Sequence, residues 1–420
     1  MARYVFLFSF LMLNVATAFS QNFYIHTPRD TTFLAKGKLL NNKRIGKWTF
    51  FQGSTGTTVV GFYKNGIQDS AWYSYHRQII SSAIMLKNGA KHGPFHVFDE
   101  NGKFISKSNY KNDKLHGSHT EYYNNGKIGL SGYYKEGKQD SAWVEYTDYG
   151  KKTFQKFYRE GQPQGIWKYY SPSGQITRIE RYSQGKLHGK IEEFHTNRAP
   201  AVKVHYEEGK RSGSYIEYYK DRSKSVEGRY LNDRKSGTWT SLTPIGVLYS
   251  IGKYEKGLKT DLWKYFHESG SLESEGTYVN GKKSGQWIEY YESGKLKSIG
   301  SYTHDVRHGL WGHFHENEQL IQDENWNAGL LLDVSDPYSV QGEKRNKGSL
   351  KNGNGSRHLY YLDGQIQIIE QYQNGLPHGL WVSYHDNGKL AAKQQYDAGK
   401  KTGAWKYYTR KGKLKRTIYN

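Results

Sequence analysis

The chain predicts an all-β protein, an elongated antiparallel β-meander of about sixteen 24-residue hairpin repeats after an N-terminal signal peptide. Three observations predict it. An anchor position recurs at Trp48, Trp72, Phe95, His119, Trp143, Trp167, Ile191, Tyr215, Trp239, Trp263, Trp287, Trp311, Ser335, Arg357, Trp381 and Trp405, and thirteen of the fifteen spacings are 24. Three residues after the anchor stands an aromatic in fifteen of sixteen units, and nine before it stands Tyr or Trp in thirteen. Two before it, twelve units carry glycine, as at Gly165, Gly213, Gly285 and Gly403. A period of this size means units that pack mainly on their neighbours, which excludes a globular enzyme built around one core.

The first twenty residues depart from the pattern. Arg3, a mostly apolar stretch from Tyr4 to Val15 and a small-x-small site at Ala18-Phe19-Ser20 read as a cleaved secretory signal peptide over 1–20. The apolar stretch is too short for a stable membrane span. Export to the periplasm, cell surface or medium is therefore expected. The chain has no cysteine, which removes disulfides, thiolate catalysis, zinc-thiolate sites and a lipid anchor on Cys.

The repeat array is expected over 21–329. In the type unit, 285–308, an aromatic run Trp287 to Tyr291 precedes the turn Glu292-Ser293-Gly294, then Leu296 to Tyr302 and a second turn at His304-Asp305. Aromatic and β-branched residues between Gly, Asn or Asp turns read as hairpin strands. Asn-Gly and Asp-Gly pairs, such as Asn280-Gly281 and Asp363-Gly364, make positive φ cheap at the turns. The connections are too short for a crossover, so strand order in space follows the sequence. Anchor and +3 ring lie an odd number of residues apart and point to opposite faces, unless a bulge at the anchor turns the second ring around. Between Asn325 and Ser356 the anchor becomes Ser335 and the next becomes Arg357, the spacing falls to 22, and Gln341 to Gly355 is rich in Gly, Asn, Lys and Arg, which sets 330–356 apart. A drifted, loosely ordered unit is expected there, with a hinge or binding loop as the alternative, before repeats of the same array resume over 357–420.

The pattern Gly-x-Trp-x-x-Tyr-Tyr-x-x-Gly-Lys followed by Tyr-x-x-Gly-Lys-x-x-Gly is legible at Gly165 to Gly189, Gly285 to Gly309 and Gly379 to Gly403. It resembles the MORN repeat variant found in bacterial proteins grouped as YwqK-like antitoxin components, over nearly the whole chain from Leu34 to Tyr419. The resemblance implies a surface that binds proteins or lipids and supplies no catalytic residues. A signal peptide would remove the protein from a cytosolic toxin, and sixteen units suit a long surface scaffold better than a simple antitoxin.

Composition narrows the function further. Only 35% of residues are hydrophobic while 15% are aromatic, which suits a thin sheet, since tyrosine packs its ring and leaves its hydroxyl in water. The net charge of +22 lies largely in lysines beside turn glycines, which protect edges and keep the chain soluble. It would also attract an anionic polysaccharide or lipid head group; export disfavours nucleic acid. Histidines precede glycine at His92, His116, His188, His308 and His378, one equivalent corner per hairpin, and His313-x-His315 is the densest patch. Neither arrangement converges as a metal site would. Glu145, Glu193, Glu217 and Glu289 recur two residues after the anchor with no cleft to hold a carboxylate pair. No nucleophile elbow, phosphate loop or dinucleotide fingerprint is present, so no catalytic residue, metal or cofactor is expected. The candidate binding residues are the aromatic rows, Trp143, Trp167, Trp263, Trp287, Trp311, Trp381 and Trp405, whose rings would stack sugars or grip apolar side chains if exposed. The competing reading is that they pack on neighbouring hairpins. The expected function is an exported, non-enzymatic scaffold for another macromolecule, first a protein partner of antitoxin-like or envelope-associated type, with a cell-envelope glycan or anionic lipid as the alternative.

Overall fold

A computed structural model describes residues 22–26 and 32–419, so the signal-peptide segment lies outside the described residues. Every regular element among them is a β-strand. The chain divides after Gly189 into two units. In each, consecutive strands pair antiparallel in chain order, as predicted: Leu258–Phe266 with Leu272–Val279, that strand with Lys282–Tyr290, and so on.

The anchors of the regular repeats sit in a built irregularity of the ladder. Gly276 pairs with Trp287, but the next residue, Thr277, pairs with Ser284, so the anchor strand carries extra residues in a β-bulge. The bulge backbone turns left-handed two residues before the anchor, with φ of 70° at Gly285 and 68° at Gly165. The recurrent glycine before the anchor therefore serves a bulge rather than a hairpin turn. Ser70, Ser141 and Asp261 adopt the same conformation at equivalent positions, at φ of 60°, 57° and 58°. Such φ values cost a side-chain-bearing residue roughly 1–2 kcal/mol.

The bulge presses the indole onto the neighbouring strand. Gly37, Gly61, Gly132, Gly228, Gly252, Gly276 and Gly300 each lie eleven residues before an anchor tryptophan, and a Cβ there would stand 2.0–2.2 Å from its ring. Except at Trp72, the indole N–H donates to the backbone carbonyl ten residues back, as from Trp263 to Lys253 at 3.1 Å and from Trp311 to Ser301 at 3.0 Å. Tyrosines fill the intervals edge-on: Tyr254 meets Trp263 at 5.2 Å, Tyr278 meets Trp287 at 5.3 Å, and Tyr302 meets Trp311 at 5.0 Å. Each such pair is worth about 0.5–1.5 kcal/mol beyond area burial. Ring-on-ring contact along one face is thus the core of each unit.

Both edges are stitched from one repeat to the next. Four residues after the anchor, Tyr123, Tyr219, Tyr291 and Tyr361 donate their hydroxyls to backbone carbonyls 23 residues on, at 2.6–2.8 Å. Imidazoles replace the phenol at His195, His267, His315 and His385, reaching the equivalent carbonyls at 2.9–3.2 Å. At the other edge each turn amide reaches the previous repeat, as Gly257 to Lys235 and Gly281 to Lys259, both at 2.9 Å.

The second unit contains one interruption. The ladder stops at Val334, and a separate sheet runs from Gly355 to Tyr419. The intervening segment is not loose, in contrast to the expectation from its composition. Ser335 N–H donates to Asp323, Tyr338 to Ile321, Leu350 to Ser356 and Gly353 to Leu332, at 2.7–2.9 Å. Leu331, Val334 and Leu350 make a small buried core against Trp326 and Tyr372.

Candidate binding surface

Alternation along each strand separates an indole face from an opposite face. On the indole face lie the anchor, the residue two after it and the tyrosine nine before it; Trp263 stacks on Tyr265 at 6.0 Å. A basic residue four before the anchor closes this face over the ring: Lys235 Nζ stands 4.0 Å from the Trp239 ring, Lys259 4.2 Å from Trp263 and Lys283 4.0 Å from Trp287. Burial lowers the pKa of all three lysines, and for Lys259 the neighbouring charges of Lys235 and Lys283 lower it further.

The tryptophans read from sequence as binding candidates are therefore packed. Trp143, Trp167, Trp263, Trp287, Trp311 and Trp405 are 1–7% exposed, and Trp381 is half-buried with its indole N–H bonded to the Gln371 carbonyl at 2.9 Å. A partner cannot stack on rings already covered by lysine and tyrosine; they serve cross-strand packing. What sequence reasoning missed is the glycine eleven residues earlier, a visible signal that a large ring must lie flat on the adjacent strand.

The opposite face is more open. Its +3 side chains pair with aliphatic partners across each hairpin, Leu242 with Leu248, Phe266 with Leu272, Tyr290 with Leu296 and Phe314 with Leu320, and all eight remain half-buried. Beside this apolar column, Lys264 pairs with Glu275 at 3.1 Å and Tyr290 donates to the same carboxylate at 3.3 Å.

The histidine and glutamate candidates are each engaged locally. His116 Nδ1 lies 3.2 Å from Glu136, His308 Nδ1 accepts the Ala328 amide at 3.3 Å, and His378 Nδ1 lies 3.3 Å from Asp397. His92 Nδ1 meets Asn112 at 3.3 Å. His313 faces Glu324 while His315 holds the Tyr338 carbonyl, so the two imidazoles have separate partners. Glu145 accepts Thr153, Glu217 accepts Tyr215 and Glu289 accepts Ser298, and no two of these carboxylates converge.

The degenerate anchors build a buried charge cluster. Arg357 occupies an anchor position, and its guanidinium donates to Gln322 at 3.1 and 2.7 Å and to Glu324 at 2.5 Å, with Glu370 at 3.8 Å. Glu324 also accepts Arg307 and the Trp326 indole, both at 2.8 Å, and is 3% exposed. Burial alone would raise its pKa, but the His313 contact and the Arg357 charge outweigh burial and hold the carboxyl far below its ordinary range. Burial raises Glu370, against the opposing charge of Arg357. The signal for this cluster was Glu324 itself, thirteen residues after Trp311, where Gly252, Gly276 and Gly300 stand in the preceding repeats.

Comparison with known proteins adds three results. The family model described as MORN repeat variant matches residues 91–112, 163–184, 262–280, 283–304 and 377–398. A search of curated proteins finds no match. Among solved structures, the chain is similar to the crystal structures described as TcdB2-TccC3 and TcdB2-TccC3-Cdc42, and to a Photorhabdus luminescens Tc holotoxin pore with a TccC3 mutation. Identity is 10% in each, 95%, 95% and 92% of this chain is covered, and the TM-scores are 0.13, 0.14 and 0.12. The chain covers only 28%, 27% and 24% of those chains, and scores this low carry no argument. Five matches, on hairpin units of both halves, show that the chain carries MORN repeat variant units.

Proposed function

We propose that this repeat scaffold is exported, performs no catalysis and binds another protein on the face opposite the tryptophans. The observation that carries this reading is the half-exposed column Leu242, Leu248, Phe266, Leu272, Tyr290, Leu296, Phe314 and Leu320, with the Lys264–Glu275 pair beside it. Apolar surface rimmed by polar groups is the composition of a protein-binding patch. The stitched edges supply a preorganised backbone, which lowers the ordering cost of docking. An antitoxin-like or envelope-associated partner fits this reading.

The test compares the wild-type protein with a Leu272→Glu, Leu296→Glu double variant as bait in envelope extract. One stoichiometric protein retained by the wild type and lost by the variant supports the proposal; equal retention by both overturns the assigned face. N-terminal sequencing of protein from fractionated cells tests export, with Gln21 expected as the first residue.

A further inference from the structure

On the indole face of the second unit, five consecutive repeats place one cation each at the same rung: Arg211, Lys235, Lys259, Lys283 and Arg307. Each stands over an aromatic ring, Arg211 at 4.3 Å from Tyr230 and Arg307 at 4.4 Å from Trp311, with the three lysines at 4.0–4.2 Å between them. One cation per two strands gives a spacing of roughly 10 Å. The end members are neutralised by acids, Arg211 by Asp233 at 3.1 Å and Arg307 by Glu324 at 2.8 Å. Among the described residues Lys235, Lys259 and Lys283 make no salt bridge, although the charge of Glu217 favours the charged form of Lys235 and the charges of Glu289 and Asp305 favour that of Lys283; Lys259 Nζ donates to the Tyr265 hydroxyl, at 2.7 Å.

We infer that Lys235, Lys259 and Lys283 form a binding row for a linear acidic polysaccharide, one carboxylate or sulfate per cation, on the face opposite the proposed protein-docking column. Three features favour a linear anion. The cations run in single file and are close enough that Lys235 and Lys283 disfavour the charged form of Lys259. An anion laid along the row relieves that repulsion and restores the solvation that burial removes. The side chains are held over their rings and their carbonyls are fixed by the next turn's amides, Gly257 on Lys235, Gly281 on Lys259 and Asp305 on Lys283, so little is left to order on binding. The spacing also matches the advance of an extended disaccharide rather than of successive phosphates along a nucleic acid. A bilayer fits less well, because Trp239, Trp263, Trp287 and Trp311 between the cations are buried and cannot insert.

The experiment measures binding of the full protein to hyaluronan oligosaccharides, which carry one carboxylate per disaccharide, alongside neutral dextran and phosphatidylglycerol vesicles. Affinity is expected to rise with oligosaccharide length until three disaccharides are spanned, and to fall as salt is raised. Replacing Lys235, Lys259 and Lys283 together by Gln is expected to weaken binding at least tenfold. The Lys→Arg triple keeps it, which separates charge from folding. A control triple removes the same charge from exposed turns, Lys256, Lys282 and Lys295→Gln, and is expected to change affinity less than threefold. Equal losses in the two Gln triples, no length dependence, or binding to vesicles with none to the glycan would each overturn the row. Loss of the protein partner in the Leu272→Glu, Leu296→Glu variant does not bear on it, since those side chains lie on the other face.

Discussion

The indole of Trp287 lies so close over Gly276 that a Cβ on the glycine would stand 2.2 Å from the ring. Gly276→Ala must displace the indole or part the strands, with an expected loss of about 1–3 kcal/mol. Gly285 has open space around its Cβ position but a φ of 70°. Gly285→Ala should therefore cost about 1 kcal/mol, and Gly285→Asn less, because Asn tolerates the left-handed region. At Gly276 Asn should be no better than Ala. Denaturant unfolding of the four variants checks this; a rescue by Asn at position 276 would contradict the packing explanation.

The edge stitching predicts a local effect. Tyr291 donates to the Phe314 carbonyl at 2.6 Å. Tyr291→Phe should cost about 0.5–1.5 kcal/mol. The loss should appear as faster amide exchange in the repeats of Trp287 and Trp311, with distant repeats unchanged, since each unit contacts mainly its neighbours.

Arg357 links the last hairpin before the interruption to the sheet that follows. Arg357→Met leaves the buried Gln322 oxygen and Glu370 without their cation, and an expected loss of about 3–5 kcal/mol follows from breaking a buried pair. Hydrogen exchange should report it first in Gly355–Tyr360 and Ile366–Gln373. Equal exchange in wild type and variant would show that the pair does not hold the junction.

The same cluster sets a pH dependence of two signs. Glu324 has a depressed folded pKa, so its contribution is complete above the ordinary value of 4.5 and is lost as pH falls below it. Glu370 has a raised folded pKa, so its burial penalty is present at neutral pH and is relieved as pH falls through that raised value. Stability of the junction should therefore rise on mild acidification and fall below about pH 4.5. Glu370→Gln should remove the rise and keep the fall, readable from exchange of the Gly355–Tyr360 amides across a pH series.

The period made the meander, the strand order and the two faces legible, because a two-residue alternation between short turns admits few arrangements. The depth of the tryptophans was not. Twelve glycines before the anchor were visible, but only the slipped register at Gly276 and Thr277 reveals the bulge that they serve. The Arg357 cluster was hidden for another reason: its partners Gln322 and Glu324 lie 35 and 33 residues away, at separations that match no multiple of the repeat.

The bonds that join one repeat to the next run mostly from side chain to carbonyl or from amide to carbonyl, at offsets fixed by the 24-residue period. Removing or duplicating one complete period within such a run would bring new neighbours together with every seam already compatible. Gene length can then drift in whole modules during evolution without passing through a misfolded ancestor.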